Sequence, residues 1–136
     1  MEKEIIESID LDAVFIAGSR GYSNDGVIIK TNKQEIKIGI DNDQQCCESW
    51  GYLTSEDNVD DFIGAEVVKI TLDDELLNES VLSDLDKYTI ENASMMFVTV
   101  HTSKGPFQVV AYNEHNGYYG HTGVLISNQL EEEERL

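Results

Sequence analysis

Two apolar runs separated by a three-residue break constrain the fold of this chain most strongly. Residues 95–102 and 106–112 flank Ser103, Lys104 and Gly105. A short break that contains glycine, set between runs rich in β-branched and aromatic side chains, predicts a β-hairpin. A third apolar run follows at residues 123–127, and we expect the three runs to form an antiparallel meander.

A second hairpin is predicted earlier in the chain. Residues 27–30 and 35–40 flank the polar stretch 31–34, and Ile36, Ile38 and Ile40 recur at every second position. An alternation of this kind places one face of a strand in the core and the other in water.

The other segments complete a mainly β (α+β) prediction. Residues 11–17 and 64–72 have strand composition, whereas residues 22–26 are rich in turn formers. Short helices are expected near residues 60–63 and within residues 73–87. In the second of these segments, leucines recur at helical spacings. The predicted architecture is a single-domain antiparallel sheet or small barrel with one or two short helices.

The 136-residue length fits one domain, which we place at residues 1–128, with a frayed acidic tail at 129–136. The N-terminal residues lack the pattern of a signal peptide, and no apolar run approaches the roughly 18 residues of a membrane span. We therefore expect a soluble cytoplasmic protein, and the sequence leaves the oligomeric state open.

The net charge of −18 is concentrated in the middle of the chain, where residues 41–91 hold 15 acids and 2 bases. This charge disfavours direct binding to DNA or to an anionic membrane, and it favours a partner with a basic surface. A solvated acidic face that maintains solubility is the alternative. The acidic residues that we expect to contact such a partner are Asp57, Asp60, Asp61, Asp73, Asp74 and Glu75.

The segment 112–121 contains the densest cluster of tyrosine and histidine. Its Asn116–Gly117 pair is a strong turn signal, which favours a purely structural role. Alternatively, exposed tyrosines provide a surface on which a base or a partner stacks. The candidate ligand-binding residues are Trp50, Tyr112, Asn113, Asn116, Tyr118, Tyr119 and His121, although Trp50 is also a natural core anchor.

No catalytic, metal or cofactor signature is complete in this sequence. Cys46 and Cys47 are adjacent, so a relaxed disulfide between them is disfavoured, and a reduced structural pair is expected. A zinc site lacks the required Cys and His spacing, and a Cys–His nucleophile would need an orienting group such as Asn113. Paired carboxylates could bind Mg²⁺ or Ca²⁺, but they lack the spacing of an EF-hand, and no P-loop motif accompanies them. We predict neither an enzyme nor a bound cofactor.

Several blocks of the sequence resemble one family. They are residues 46–50 (Cys-Cys-Glu-Ser-Trp), residues 62–67, residues 102–105, Asn113 and residues 116–120 (Asn-Gly-Tyr-Tyr-Gly). Together they are similar to a small uncharacterised domain carried by bacteriophages and Gram-positive bacteria. The likeness covers about residues 39–120, whereas the N-terminal extension and residues 121–123 depart from it. The resemblance implies a phage or mobile-element accessory protein, and it transfers no catalytic role.

Charge and resemblance together suggest a function. We expect a non-enzymatic inhibitor that binds a bacterial anti-phage defence component through an acidic surface, in place of nucleic acid. One alternative is a sponge that sequesters a cyclic or other signalling nucleotide in the host cytoplasm, and a small hydrolase is the other.

Alanine substitution tests the two roles of the tyrosines. If Tyr118 or Tyr119 is a core residue, its replacement should cost about 3–5 kcal/mol of stability. If one is a contact residue, its alanine variant should keep the parental melting temperature and lose about 2 kcal/mol of binding. We expect Tyr119 to be buried and Tyr118 exposed. Thermal melts and binding titrations of the two single variants distinguish the roles, and a Tyr118→Ala variant that melts far below the parent would contradict this assignment.

Overall fold

The computed structural model describes residues 3–17, 21–42, 49–55, 59–73, 93–114, 122–127 and 131–136. These residues form nine β-strands and one 3₁₀ turn at Asp60–Phe62. The strands are β1 (Ile6–Ala17), β2 (Tyr22–Thr31), β3 (Glu35–Asp41), β4 (Ser49–Thr54), β5 (Val67–Asp73), β6 (Ala93–Thr102), β7 (Gly105–Glu114), β8 (Thr122–Ile126) and β9 (Glu131–Arg135).

Two antiparallel sheets contain these strands. One has five strands in the order β1-β2-β3-β8-β9, and the other has four in the order β4-β7-β6-β5. At one edge, Ile5 forms an isolated bridge with Glu66, and the Ile6 amide donates to the carbonyl of Ala65 at 2.9 Å. This junction joins β1 to the start of β5 without closing a barrel. The mainly β prediction is confirmed.

The hairpin of β2 and β3 forms as predicted. Ile36, Ile38 and Ile40 are completely buried, which confirms the alternating face. The turn is held by Thr31, whose Oγ1 accepts from the amides of Lys33 and Gln34, each at 3.1 Å. Residues 22–26 were expected to be a turn, but they extend β2, because each pairs with a residue of β1.

The hairpin of β6 and β7 is also confirmed. Thr102 Oγ1 donates to the carbonyl of Gly105 at 2.6 Å, and Gly105 has a positive φ of 117° that favours glycine. The predicted meander is wrong, however. The third run forms β8, which pairs with β3 and β9 in the other sheet.

The core lies between the two sheets. Isoleucines of β2 and β3 pack in one cluster with valines of β6 and with Phe107 and Val109 of β7. Phe107 also meets Phe62 of the 3₁₀ turn, with ring centroids 5.4 Å apart. The helical turn expected near residues 60–63 is thus present, and it supplies a core side chain. Apart from Asp73, which ends β5, the helix expected within 73–87 lies outside the described residues.

The C-terminal residues form part of this architecture. A frayed tail was expected at 129–136, but Glu131–Arg135 form β9 against β8. Leu136 is only 3% exposed within the core cluster, and its carbonyl accepts from Asn113 Nδ2 at 3.3 Å. The run of glutamates hid this strand, because β9 carries no apolar alternation of its own.

A bulge in β1 changes which side chains face the core. Register shifts occur between Ile6 and Ser8 and again between Asp10 and Ala13. After the second shift, Ala13 and Phe15 pack with Val124 in a small cluster that is separate from the main core. An extra residue in one strand moves every later side chain to the other face of the sheet.

None of the described residues lies in a helix of the length and apolarity that crossing a membrane requires.

A methyl group at Gly26 should disrupt the five-stranded sheet. Gly26 pairs with Gly39, and a Cβ at position 26 would contact the carbonyl of Ile38 and lie 2.6 Å from Gly39 Cα. Backbone atoms yield little, so we expect Gly26→Ala to cost about 3 kcal/mol in urea unfolding. Gly51→Ala is the control, because its Cβ would meet only the side chain of Tyr112, with the hydroxyl nearest at 3.1 Å. Equal stability of the two variants would contradict this account.

Candidate functional site

Three carboxylates lie near the point where the second bulge interrupts β1. Asp10 and Asp12 stand on either side of Leu11 within the bulge, and both are exposed. The amide of Asp12 donates to Asp10 Oδ1 at 3.0 Å, which fixes the bulged backbone. Asp25 lies on the neighbouring strand β2, where it pairs with Val14. We call Asp10, Asp12 and Asp25 the acidic patch.

Tyr52 of the other sheet reaches this patch. Its hydroxyl donates to the carbonyl of Leu11 at 2.6 Å and lies 3.4 Å from Asp12 Oδ1. Burial raises the pKa of Tyr52 from 10.0 to about 12, and the negative charges of Asp12, Asp25 and Asp10 contribute to the rise. The hydroxyl therefore lies in the negative potential of all three carboxylates, and it fixes the position of β1 relative to the four-stranded sheet.

No lysine or arginine neutralises the acidic patch within the part of the chain that the structure describes. Asp25 Oδ1 accepts from Asn42 Nδ2 at 2.9 Å, and the same amide reaches Ser23 Oγ at 3.1 Å. The described ion pairs are elsewhere: Lys3 with Glu66 at 3.8 Å, and Lys37 with Glu35 at 4.0 Å. Neutral hydrogen-bond donors orient the patch and leave its charge available to an external cation.

Sequence reasoning missed this patch because it assigned the acidity to residues 41–91. The available signal was the spacing of Asp10 and Asp12 inside an apolar segment. Their proximity to Asp25 depends on the β1–β2 register and on the bulge, neither of which composition reveals.

The predicted acidic contact residues are separated in the structure. Asp60 and Asp61 are exposed on the 3₁₀ turn before β5, whereas Asp73 ends that strand. β5 has seven residues at about 3.3 Å each, so Asp73 lies a strand length, roughly 20 Å, from the start of β5 that follows the turn. Asp57, Asp74 and Glu75 lie outside the described residues.

Asp73 belongs to a polar row across β5, β6 and β7. Its Oδ2 accepts from the hydroxyls of Thr71, at 3.1 Å, and of Thr99. Gln108 Nε2 donates to Thr99 Oγ1 at 3.2 Å, and His101 Nε2 lies 2.9 Å from Thr71 Oγ1. Because each threonine gives its one hydroxyl proton to the carboxylate, His101 Nε2 is the donor to Thr71.

This polar row resembles a relay of catalytic groups, but its bonds have a structural explanation. Both threonine hydroxyls donate to the same carboxylate oxygen of Asp73, so the bonds tie β5 to β6. Thr99 and Gln108 are completely buried. The row crosses three neighbouring strands and so fixes their side chains on one face of the four-stranded sheet.

The described members of the predicted ligand site are largely buried. Trp50 packs against the main core, as expected of an anchor. Tyr112 lies over Gly51, where burial raises the pKa of its hydroxyl, and Asn113 is inaccessible beside Leu136. Tyr112 and Asn113 present no open ring or amide to a ligand, whereas Trp50 is only half-buried. The remaining members, Asn116, Tyr118, Tyr119 and His121, are outside the described residues.

In the described part of the chain, no group of three or more histidine, cysteine or acidic side chains is arranged to hold a metal ion. Cys46 and Cys47, expected to be structural, are outside it.

The comparison with protein families gives one match. The family model described as "Domain of unknown function (DUF7448)" matches residues 3–125. None of the curated proteins or solved structures matches the chain.

Titration of Tyr52 tests the geometry of the patch. Asp12→Asn should lower the pKa of Tyr52 from about 12 toward 10.0, because a negative neighbour and hydrogen-bond acceptor becomes neutral. Tyrosinate absorbance measures the shift, with the titration curve of Tyr52→Phe subtracted to isolate this residue. Asp61→Asn is the control and should leave the curve unchanged.

The same shift predicts how stability depends on pH. The folded-state pKa is above the unfolded value, so the contribution of Tyr52 is complete below pH 10.0 and is lost as the pH rises toward 12. Tyr52→Phe should therefore lose less stability than the parent over this interval, and parallel curves would contradict the assignment.

Proposed function

We propose, from the surface of the protein, that this chain is a non-enzymatic protein that binds a basic surface on another macromolecule. The chain belongs to the DUF7448 family, whose domain is described as one of unknown function. The acidic patch carries this proposal. Three carboxylates, held by neutral donors and lacking a described ion-pair partner, are an arrangement that a lysine- or arginine-bearing partner completes.

The charge of the whole chain supports the same conclusion. A net charge of −18 on 136 residues produces a field that attracts cationic surfaces and repels nucleic acid. Asp60 and Asp61 add exposed charge at the start of β5. Distributed carboxylates of this kind accelerate association with a basic groove, while the best-placed ones determine where the partner comes to rest.

The expected target is a component of bacterial anti-phage defence, and the expected effect is inhibition. This part of the proposal is motivated by the phage-type motifs of the sequence. Defence proteins that bind nucleic acid present basic grooves, and carboxylates spaced along strands compete with phosphates for such a groove. The inhibitor acts in the host cytoplasm, where the groove and its nucleic acid meet.

The nucleotide sponge remains a prediction, and so does the small hydrolase. The described residues favour neither, because Trp50, Tyr112 and Asn113 are engaged in packing and the Asp73 row is internally bonded.

Capture from bacterial lysate tests the proposal. The immobilised protein should retain basic, nucleic-acid-binding proteins and release them at high salt, and its expression should restore phage plating on a strain with the matching defence. Mass spectrometry of molecules released by heating provides the opposing result. A nucleotide released in stoichiometric amount, without a retained protein, would replace the proposal with the sponge.

Charge neutralisation should slow association with the captured partner. Asp10→Asn with Asp12→Asn should reduce the association rate by about tenfold at low salt, and the difference should shrink as the Debye length falls below about 8 Å. The control is Glu35→Gln with Glu66→Gln, which removes the same charge from acids that already face a lysine. Stopped-flow or surface-based kinetics measure both pairs, and equal effects would show that net charge alone acts.

A further inference from the structure

Along its second half, the outer edge of β1 pairs with none of the described strands. β1 is the terminal strand of the five-stranded sheet, and the bonds that join it to residues 64–67 involve only Glu4 and Ile6. Ala13–Ala17 then pair with β2 at five consecutive positions without a further register shift. Among the described residues, no strand covers the opposite side of this segment.

Two carbonyl bonds show which backbone groups face the open edge. Asn24 Nδ2, on β2, donates to the carbonyls of Phe15 and Ala17 at 3.3 Å each, so these carbonyls point toward β2. Successive residues of a strand direct their backbone groups to opposite sides. The amide and carbonyl groups of Val14 and Ile16 therefore point away from the sheet, toward the position of an added strand.

The side chains of the same two residues are exposed. Val14 is 66% exposed and Ile16 is 65% exposed, the largest fractions among the large apolar side chains that the structure describes. The bulge directs them to the face that carries the main core, beyond the point where Tyr52 contacts Leu11. Exposed β-branched residues on an open edge mark a site for strand pairing.

The charge of β1 selects the kind of strand that would pair with it. Ile6–Ala17 contains Glu7, Asp10 and Asp12 and neither lysine nor arginine, although lysine is the usual guard of an exposed edge. The Asp25 carboxylate lies beside Val14 on the same face. A second copy of this chain would set acidic β1 against acidic β1, which like-charge repulsion opposes.

We propose that Val14 and Ile16 form the centre of a strand-addition site on β1, which takes an extended segment of a partner protein with alternating basic and apolar side chains. The apolar side chains cover Val14 and Ile16, and the backbone extends the five-stranded sheet. The basic side chains alternate to the opposite face, where the negative potential of Asp10, Asp12 and Asp25 attracts them across the sheet edge. This inference rests on the proposed function and specifies how the basic partner is held.

A synthetic peptide of alternating lysine and valine, about eight residues long, is the probe, since that length spans roughly 26 Å of strand. Its binding to the full chain should shift the amide resonances of Val14 and Ile16. Val14→Thr with Ile16→Thr should weaken binding by about tenfold or more while the melting temperature stays unchanged. Val68→Thr is the matched control, because Val68 is 59% exposed on the edge strand of the other sheet.

Two further peptides test the backbone and the charge. If the peptide adds as a strand, methylating one alternate set of its amide nitrogens abolishes binding, and methylating the other set has little effect. Replacing its lysines with glutamate should also abolish binding. Binding that is insensitive to Val14 and Ile16, an absence of binding, or a β1-mediated dimer of the chain in sedimentation would each overturn the inference.

The outcomes separate this inference from the proposed function. A lysate partner that depends on Asp10 and Asp12 but is unaffected by Val14→Thr with Ile16→Thr refutes strand addition and leaves the acidic binder intact. Peptide binding through β1 without any basic partner in the lysate supports strand addition and refutes the proposed function.

Discussion

Burial of β3 between its neighbours is the interaction on which the rest of the structure depends. β3 is the middle strand of the five-stranded sheet, and Ile36, Ile38 and Ile40 are completely withdrawn from water. Each such side chain contributes about 1.5–3 kcal/mol on burial. β2 and β8 pair with this strand on its two sides, while the core side chains of β7 pack across from it. The other strands are arranged around this buried face.

Strands with an alternating or continuous apolar pattern could be predicted from the sequence. Strands whose position depends on pairing with a distant part of the chain could not. The β2–β3 and β6–β7 hairpins carry their own local signals. β8 was assigned to the wrong neighbour because four of its five residues pair with β3, more than 80 positions earlier in the chain. The strand of glutamates, β9, is positioned by β8 and by burial of Leu136, and neither contact leaves a periodic pattern.

In the candidate site, too, the features with a local sequence signal could be predicted, and those that depend on distant residues could not. The sequence correctly indicated an acidic protein and a core role for Trp50. It did not indicate that Asp25 would join Asp10 and Asp12, because that meeting depends on a bulge and on a cross-strand register. The position of Tyr52 depends on the fold in the same way, because this residue comes from the other sheet and its hydroxyl reaches Leu11 in the middle of the bulge. Charge can be counted from a sequence, whereas its concentration at one edge depends on the fold.

The bulge between Asp10 and Ala13 has a further consequence, for local stability. Ahead of the bulge, Ile6 and Ile9 contact the main core, and the backbone near Ile6 bonds to both sheets. Beyond the bulge, the strand depends on one neighbour and on the small cluster of Phe15 and Val124. Segments with few buried contacts open at lower free energy than the whole molecule. We therefore expect the second half of β1 to open as a separate cooperative unit, with amides that exchange with solvent faster than those of the first half while the core remains folded.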